Sequence, residues 1–197
     1  MKETINAKEA IVSASKDLYA LGLMPGCAGN VSLRVGNEIL ITPAGLCKGR
    51  LSADCIVRID MAGGVIEGGN PTSELPMHMR IYELREDVGA VVHVHGANAV
   101  ALTVAGIRFQ DDVLPEIPLK IGKVATSRFA MPSTPESADV IEPFIKKGIN
   151  AVIIPYHGIV ALGKTLRHAV MTAEAVEYSA EVQLKATTAG GIRKLRR

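Results

Sequence analysis

His93 and His95, separated by Val94, lie in the apolar run Val88-Gly-Ala-Val-Val-His-Val-His. The run reads as a buried strand, and on a strand residues i and i+2 share a face. Both imidazoles therefore project side by side, while Val92 and Val94 face the other way. Unpaired imidazoles on a buried face are costly to desolvate, and a divalent metal resolves that cost because imidazole nitrogen is a good ligand for Zn2+. Co2+ and Mn2+ accept the same donor set. A catalytic site of this kind needs a third protein ligand and one open position. The chain has five histidines. His78 and His168 read as ordinary helix residues. His157 follows the strand-like run Ala151-Val-Ile-Ile-Pro and precedes Gly158, a placement that lets its ring reach out of a sheet, so it is the expected third ligand.

An acid/base group is offered by Glu74, in Asn70-Pro-Thr-Ser-Glu-Leu-Pro-Met. The segment reads as a loop entering a helix over 74–85, with Ser73 as N-cap and Met77, Ile81 and Leu84 on one face. A carboxylate in a first helical turn also suits the helix dipole. The hydroxyls of Thr72 and Ser73 beside a helix N-terminus suit a phosphate. Two further loops have the makings of anion cradles: Gly26-Cys-Ala-Gly-Asn-Val-Ser, containing Gly29 and Asn30, and Thr42-Pro-Ala-Gly, containing Ala44 and Gly45. Glycine lets backbone N–H groups approach an oxyanion, although the same residues also make everyday turns.

The elements that must position these groups follow from periodicity. Helical spacing of Ile11, Ala14, Leu18 and Leu21 predicts a helix over 4–21, stopped by Gly22. Val31–Val35 and Glu38–Ile41 read as a hairpin around Gly36-Asn37, and Ile56–Asp60 with Val65–Glu67 as a second. A short helix is expected over 97–105, and an irregular, strand-bearing stretch over 107–131. A helix over 135–147 should bend or break at Pro143. Strands around Val152 and Val160 precede a long helix over 165–186, with Ala169, Ala173, Val176, Ala180 and Leu184 on one face. The hairpins predict a mainly antiparallel sheet flanked by helices, an α/β/α arrangement in one domain spanning 1–197, with a flexible tail over 189–197.

Composition bounds the function. A chain of 197 residues, 48% hydrophobic, can bury a sizeable core. No stretch approaches the roughly 20 apolar residues of a membrane span, and Met1-Lys-Glu-Thr-Ile-Asn lacks an apolar signal core. A net charge of +2 argues against general nucleic-acid affinity. Three cysteines, Cys27, Cys47 and Cys55, form no Cys-x-x-Cys and point to a reducing cytoplasm.

Gly29-Asn-Val-Ser, Ile41-Thr-Pro-Ala-Gly, Pro71-Thr-Ser-Glu, His93-Val-His and His157-Gly-Ile-Val-Ala-Leu-Gly occur in this order. In that order they resemble the class II aldolase/adducin family from about Lys8 to Leu184. The resemblance implies a three-layer α/β/α fold and a divalent ion, zinc or similar, held by His93, His95 and His157. It implies acid/base work by Glu74 and phosphate binding by Gly29, Asn30, Ala44, Gly45, Thr72 and Ser73. It further implies a homotetramer with interfacial sites and a sugar-phosphate substrate, with aldol cleavage of a ketose 1-phosphate to dihydroxyacetone phosphate and a short aldehyde as the leading activity. Family aldolases commonly carry a Tyr from a neighbouring subunit in a segment resembling Tyr-Ala-x-x-Gly-Ser/Thr. The match here is Phe129-Ala-Met-Pro-Ser-Thr, and phenylalanine has no hydroxyl to donate a proton. Glu116, Tyr156 or a water are the substitutes on offer. A related decarboxylase or dehydratase shares the chemistry. A 4-epimerase is disfavoured because no Tyr-bearing extension follows the last helix, and a non-catalytic adducin-head-like module has no need of a complete metal site.

Overall fold

The computed structural model describes residues 2–195. One eight-stranded sheet runs through it in the order β4-β3-β2-β1-β5-β8-β7-β6. Its strands are β1 Asn30–Val35, β2 Glu38–Ile41, β3 Val57–Asp60, β4 Val65–Glu67, β5 Ala90–Val94, β6 Val124–Thr126, β7 Ala151–Ile154 and β8 Gly158–Gly163. Every pairing is antiparallel except β6 with β7. Both expected hairpins form, β1–β2 across Gly36-Asn37 and β3–β4 across a turn at 61–64, with a bulge in the second ladder at Arg58/Ile59.

Alternation along the strands splits the core into two layers. Val31, Leu40, Ala90, Val92, Val94 and Ile159 pack under helices α1 (Lys2–Ala20), α3 (Ala97–Val104) and α6 (Leu166–Thr188). On the opposite face, Ile39, Ile41, Val91, Val152 and Val160 pack under α2 (Leu75–Leu84), α4 (Pro135–Asp139) and α5 (Glu142–Ile145). The result is the α/β/α sandwich expected from the sequence. Of the α6 stripe, Ala169, Ala173, Val176 and Ala180 are fully buried and Leu184 packs at the edge.

The differences are local. Helix α1 ends at Ala20, and Leu21, expected on its buried face, is exposed. Helix α2 begins at Leu75, one residue later than expected, and Glu74 rather than Ser73 is its N-cap. The helix expected over 135–147 breaks into α4 and α5, with Pro143 in the first turn of the second piece, where its missing N–H costs nothing. Residues Ile117–Ile121 form a single wide helical turn inside the stretch expected to be irregular. Part of the expected flexible tail is tied down, with Leu195 N–H donating to Asp112 O and Lys194 pairing with the Asp112 carboxylate. Arg196 and Arg197 lie outside the described residues.

Gly158 links the sheet to the histidines. A Cβ there would stand 2.1 Å from Val94 O and 3.2 Å from the Cα of His95. Backbone atoms of a central strand cannot retreat, so Gly158→Ala should cost about 1–3 kcal/mol. Thermal denaturation should register this as a lower Tm, because the close approach joins β5 to β8 at the ends that His95 and His157 adjoin. An unchanged Tm would contradict the close approach.

Candidate metal centre and active site

The end of β5 and the turn entering β8 bring three imidazoles together. Cα registration pairs His93 with Val160 and Val94 with Ile159, which sets His157 across from the β5 histidines. His95 follows the last residue of β5 and is anchored by its N–H to Leu23 O at 2.8 Å. The ring centroids lie 4.9 Å apart for His93–His95, 4.6 Å for His93–His157 and 4.8 Å for His95–His157. One candidate ligand nitrogen from each ring lies within 4.8 Å of the other two.

The protonation pattern suits ligation. His93 Nδ1 donates to Ile159 O at 3.0 Å, which leaves the Nε2 lone pair free and facing His157 Nε2 at 3.2 Å. A carbonyl that fixes the tautomer of a ligating imidazole is the usual supporting contact. Burial, followed by the neighbouring His157 and His95, pushes His93 well below its ordinary value. His95 is lowered to about 4, by burial first and then by His157 and Lys48. Burial also lowers His157, against the opposing pull of Glu74. Three neutral imidazoles converging at neutral pH are a donor set that fits a divalent cation.

A pocket of about 160 Å³ opens beside this cluster. His95, His157 and Glu74 line it, as do Gly29, Asn30, Ala44, Gly45, Thr72 and Ser73. Six candidate phosphate residues from three separate loops thus share one wall system with the carboxylate. Gly29 is required there: its φ is +74°, and a Cβ would meet Met24 Cγ at 2.6 Å and His93 O at 3.0 Å. The other two loops are zipped together by Ala44 N–H to Asn70 O at 3.0 Å and Thr72 N–H to Thr42 O at 3.1 Å. Those two N–H groups are therefore spent on the scaffold, and Ala44 serves through shape. The Thr72 hydroxyl receives Glu74 N–H at 3.3 Å.

Glu74 is buried with its two oxygens in different circumstances. Oε1 accepts from Ser133 N–H and from the Ser133 hydroxyl at 3.1 Å. Oε2 is buried without a hydrogen-bond partner among the described residues. One oxygen is clamped and the other is available, the arrangement a positioned acid/base group needs. Ser133 holds a left-handed backbone with φ +62°, a strained conformation that turns its N–H and Oγ toward the same carboxylate.

Sequence reasoning missed two pocket residues. Ser133 comes from 59 positions away, in the segment Phe129-Ala-Met-Pro-Ser-Thr that the sequence singles out for its phenylalanine alone. Lys48 is buried in the wall, with Nζ donating to Cys27 O at 3.0 Å and Leu46 O at 2.9 Å, so it ties two cradle loops and supplies the pocket's cationic side chain. Burial lowers its pKa. Glu116 and Tyr156 do not reach the pocket. Glu116 lines a separate cavity with Lys120, His168 and Tyr178. Tyr156 is exposed, with its ring edge-on to Phe129 at 5.8 Å in a surface depression.

Residues 9–184 match the family described as Class II Aldolase and Adducin N-terminal domain. The chain belongs to that family. An L-fuculose phosphate aldolase of Methanococcus maripaludis (strain S2) is 35% identical over 165 residues, 84% of this chain and 89% of that protein. A 3-oxo-tetronate 4-phosphate decarboxylase of Cupriavidus necator is 29% identical over 179 residues, 89% of this chain and 82% of that one. A solved L-fuculose 1-phosphate aldolase superposes with a TM-score of 0.85 at 27% identity, covering 97% of this chain and 91% of that chain. This class II aldolase homologue is accordingly an enzyme of the metal-dependent lyase class. Among the described residues, no helix is long and apolar enough to cross a membrane.

Proposed function

We propose that the chain is a metal-dependent aldolase that cleaves a ketose 1-phosphate of the L-fuculose 1-phosphate type to dihydroxyacetone phosphate and a short aldehyde. The observation that carries this reading is the convergence of His95, His157, Glu74 and the three phosphate-suited loops on one pocket, with His93 buried behind it. His93, His95 and His157 would hold the cation, zinc or else Co2+ or Mn2+. When bound, it supplies Lewis-acid charge for the negative oxygen that develops when a carbon–carbon bond breaks.

The protein's own groups do the rest. Asn30, Gly45, Ser73 and Lys48 hold the phosphate and fix the three-carbon unit against the histidines. Glu74, clamped through Oε1, moves a proton through Oε2 to and from the carbon that becomes the hydroxymethyl group. A reducing cytoplasmic setting accords with three free cysteines. A homotetramer accords with the exposed Phe129, Met131 and Tyr156 near the site.

One observation favours a second reading, decarboxylation of a 3-oxo acid phosphate. Aldol cleavage requires a group that takes the proton from the hydroxyl on the far side of the breaking bond. Phe129 stands where a hydroxyl-bearing Tyr is expected, and Tyr156 faces a surface depression. Loss of CO2 needs no such group, only protonation of the resulting carbon. Both routes deliver the same enediolate of dihydroxyacetone phosphate to Glu74. Offering the metal-loaded protein L-fuculose 1-phosphate and 3-oxo-tetronate 4-phosphate in parallel separates them. The aldolase reading expects chelator-sensitive release of aldehyde from the first. CO2 from the second with no aldehyde from the first would transfer the assignment.

A further inference from the structure

Behind the pocket wall a chain of buried polar groups joins two elements, β1 and α2. Tyr82 Oη lies 2.8 Å from Ser32 Oγ, Ser32 Oγ lies 2.7 Å from His78 Nδ1, and His78 Nε2 lies 2.5 Å from Asn30 Oδ1. Tyr82, Ser32, His78 and Asn30 are 2%, 0%, 0% and 4% exposed, and only Asn30 reaches the pocket. The two hydroxyls and the two His78 ring nitrogens could each donate or accept taken singly, whereas Asn30 Oδ1 only accepts, and together they have one fully satisfied direction. The Tyr82 hydroxyl has no acceptor among the described residues other than Ser32 Oγ. A buried O–H left without an acceptor is costly, so Tyr82 donates to Ser32. Ser32 must then pass its own hydrogen to His78 Nδ1. His78 therefore carries its proton on Nε2 and donates to Asn30 Oδ1. The Asn30 amide is left with its NH2 group turned away from His78, and no described side chain or backbone group takes it.

We infer that Tyr82, Ser32 and His78 are positioning residues that lock the Asn30 side chain with its NH2 donors toward the pocket, so that it binds an anionic oxygen. The inference rests on the phosphate reading of the pocket given above. An asparagine free to flip would offer its carbonyl half the time and repel the anion; a chain of fixed polarity removes that state. His78 is well suited to the task because burial lowers it to about 3, so it stays neutral with one donor and one acceptor nitrogen. Its pairing with Ser32 and Asn30 also explains a buried histidine that stands apart from the three clustered imidazoles.

The test reads the tautomer directly. Histidine ring 15N NMR on the full-length protein, with His78→Gln to assign the signal, should find His78 neutral with Nε2 protonated. A His78 protonated on Nδ1 would overturn the inference outright. The functional arm titrates inorganic phosphate into wild type, Asn30→Ala, Ser32→Ala and Tyr82→Phe. Asn30→Ala should weaken binding about tenfold, Ser32→Ala by a similar factor, and Tyr82→Phe by about threefold. For Ser32→Ala and Tyr82→Phe, substrate KM should rise in step while kcat holds within about twofold, a split that general loosening of the fold would not give. If Asn30→Ala weakens phosphate binding and the other two variants leave it intact, the positioning role fails while the phosphate site stands. Unchanged binding in Asn30→Ala removes Asn30 from the phosphate site, and the positioning role falls with it.

Discussion

Replacing Glu74 with glutamine should reduce turnover about 1,000-fold while the protein keeps its fold and its metal. Glutamine retains the oxygen that accepts from Ser133 N–H and Oγ–H, so the clamp and the entry to α2 survive. The change falls on Oε2, the buried oxygen that has no partner. Exchanging it for an amide nitrogen removes the proton acceptor and leaves size and position alone. Steady-state kinetics should therefore find kcat and kcat/KM down together, as expected when a group acts in the chemical step. Metal content by atomic emission and the circular dichroism spectrum should match wild type. Retention of more than about a tenth of wild-type kcat would remove Glu74 from the acid/base role, given that such groups contribute roughly 10²- to 10⁴-fold.

His95→Ala should abolish activity by a different route. His93 is wholly buried and bonded to Ile159 O, so its removal opens a hole in the sheet. His95 sits just past the end of β5, at the pocket rim, and its N–H remains bonded to Leu23 O after truncation. The variant should fold. Loss of one of three imidazoles should weaken divalent-metal affinity by at least the 10- to 100-fold typical of losing a mere supporting contact, and by roughly 1,000-fold or more for a ligand itself. Isothermal titration with Zn2+ measures this independently of any substrate. A His95→Ala protein that holds metal as wild type does would remove His95 from the ligand set.

Much of this arrangement is legible in the sequence because its signals are local. A His-x-His inside an apolar run fixes two rings on one strand face whatever the surrounding fold, and period-2 alternation assigns Val91 and Val92 to opposite layers. Gly158 beside His157 marks a ring placed to reach out of the sheet, and the fold packs Val94 O and the His95 Cα against that glycine. The rest depends on contacts between distant residues. Lys48 follows a turn and has the sequence context of a solvated lysine; only the folded loops supply the Cys27 and Leu46 carbonyls that hold it. Ser133 acquires meaning through Glu74, and His78 through Ser32 and Asn30, partners 46 and 48 positions away. Ser73 reads as the cap of α2, whereas Glu74 occupies that position without a side-chain cap bond, its Oε1 accepting from Ser133 instead. Glu116 and Tyr156 carry chemistry that suits the gap in the family pattern, yet within one chain the fold directs both to other surfaces.

Aldol cleavage and decarboxylation diverge at the bond broken and meet at the enediolate of dihydroxyacetone phosphate. The measurement that bears most directly on the central claim is therefore made on that fragment alone. Dihydroxyacetone phosphate is incubated with the metal-loaded protein in D2O, and the hydroxymethyl protons are followed by NMR. One of the two protons should exchange stereospecifically, a chelator should stop the exchange and added metal restore it, and Glu74→Gln should lack it. Metal-replete wild-type protein that binds dihydroxyacetone phosphate without exchanging a proton would contradict the account.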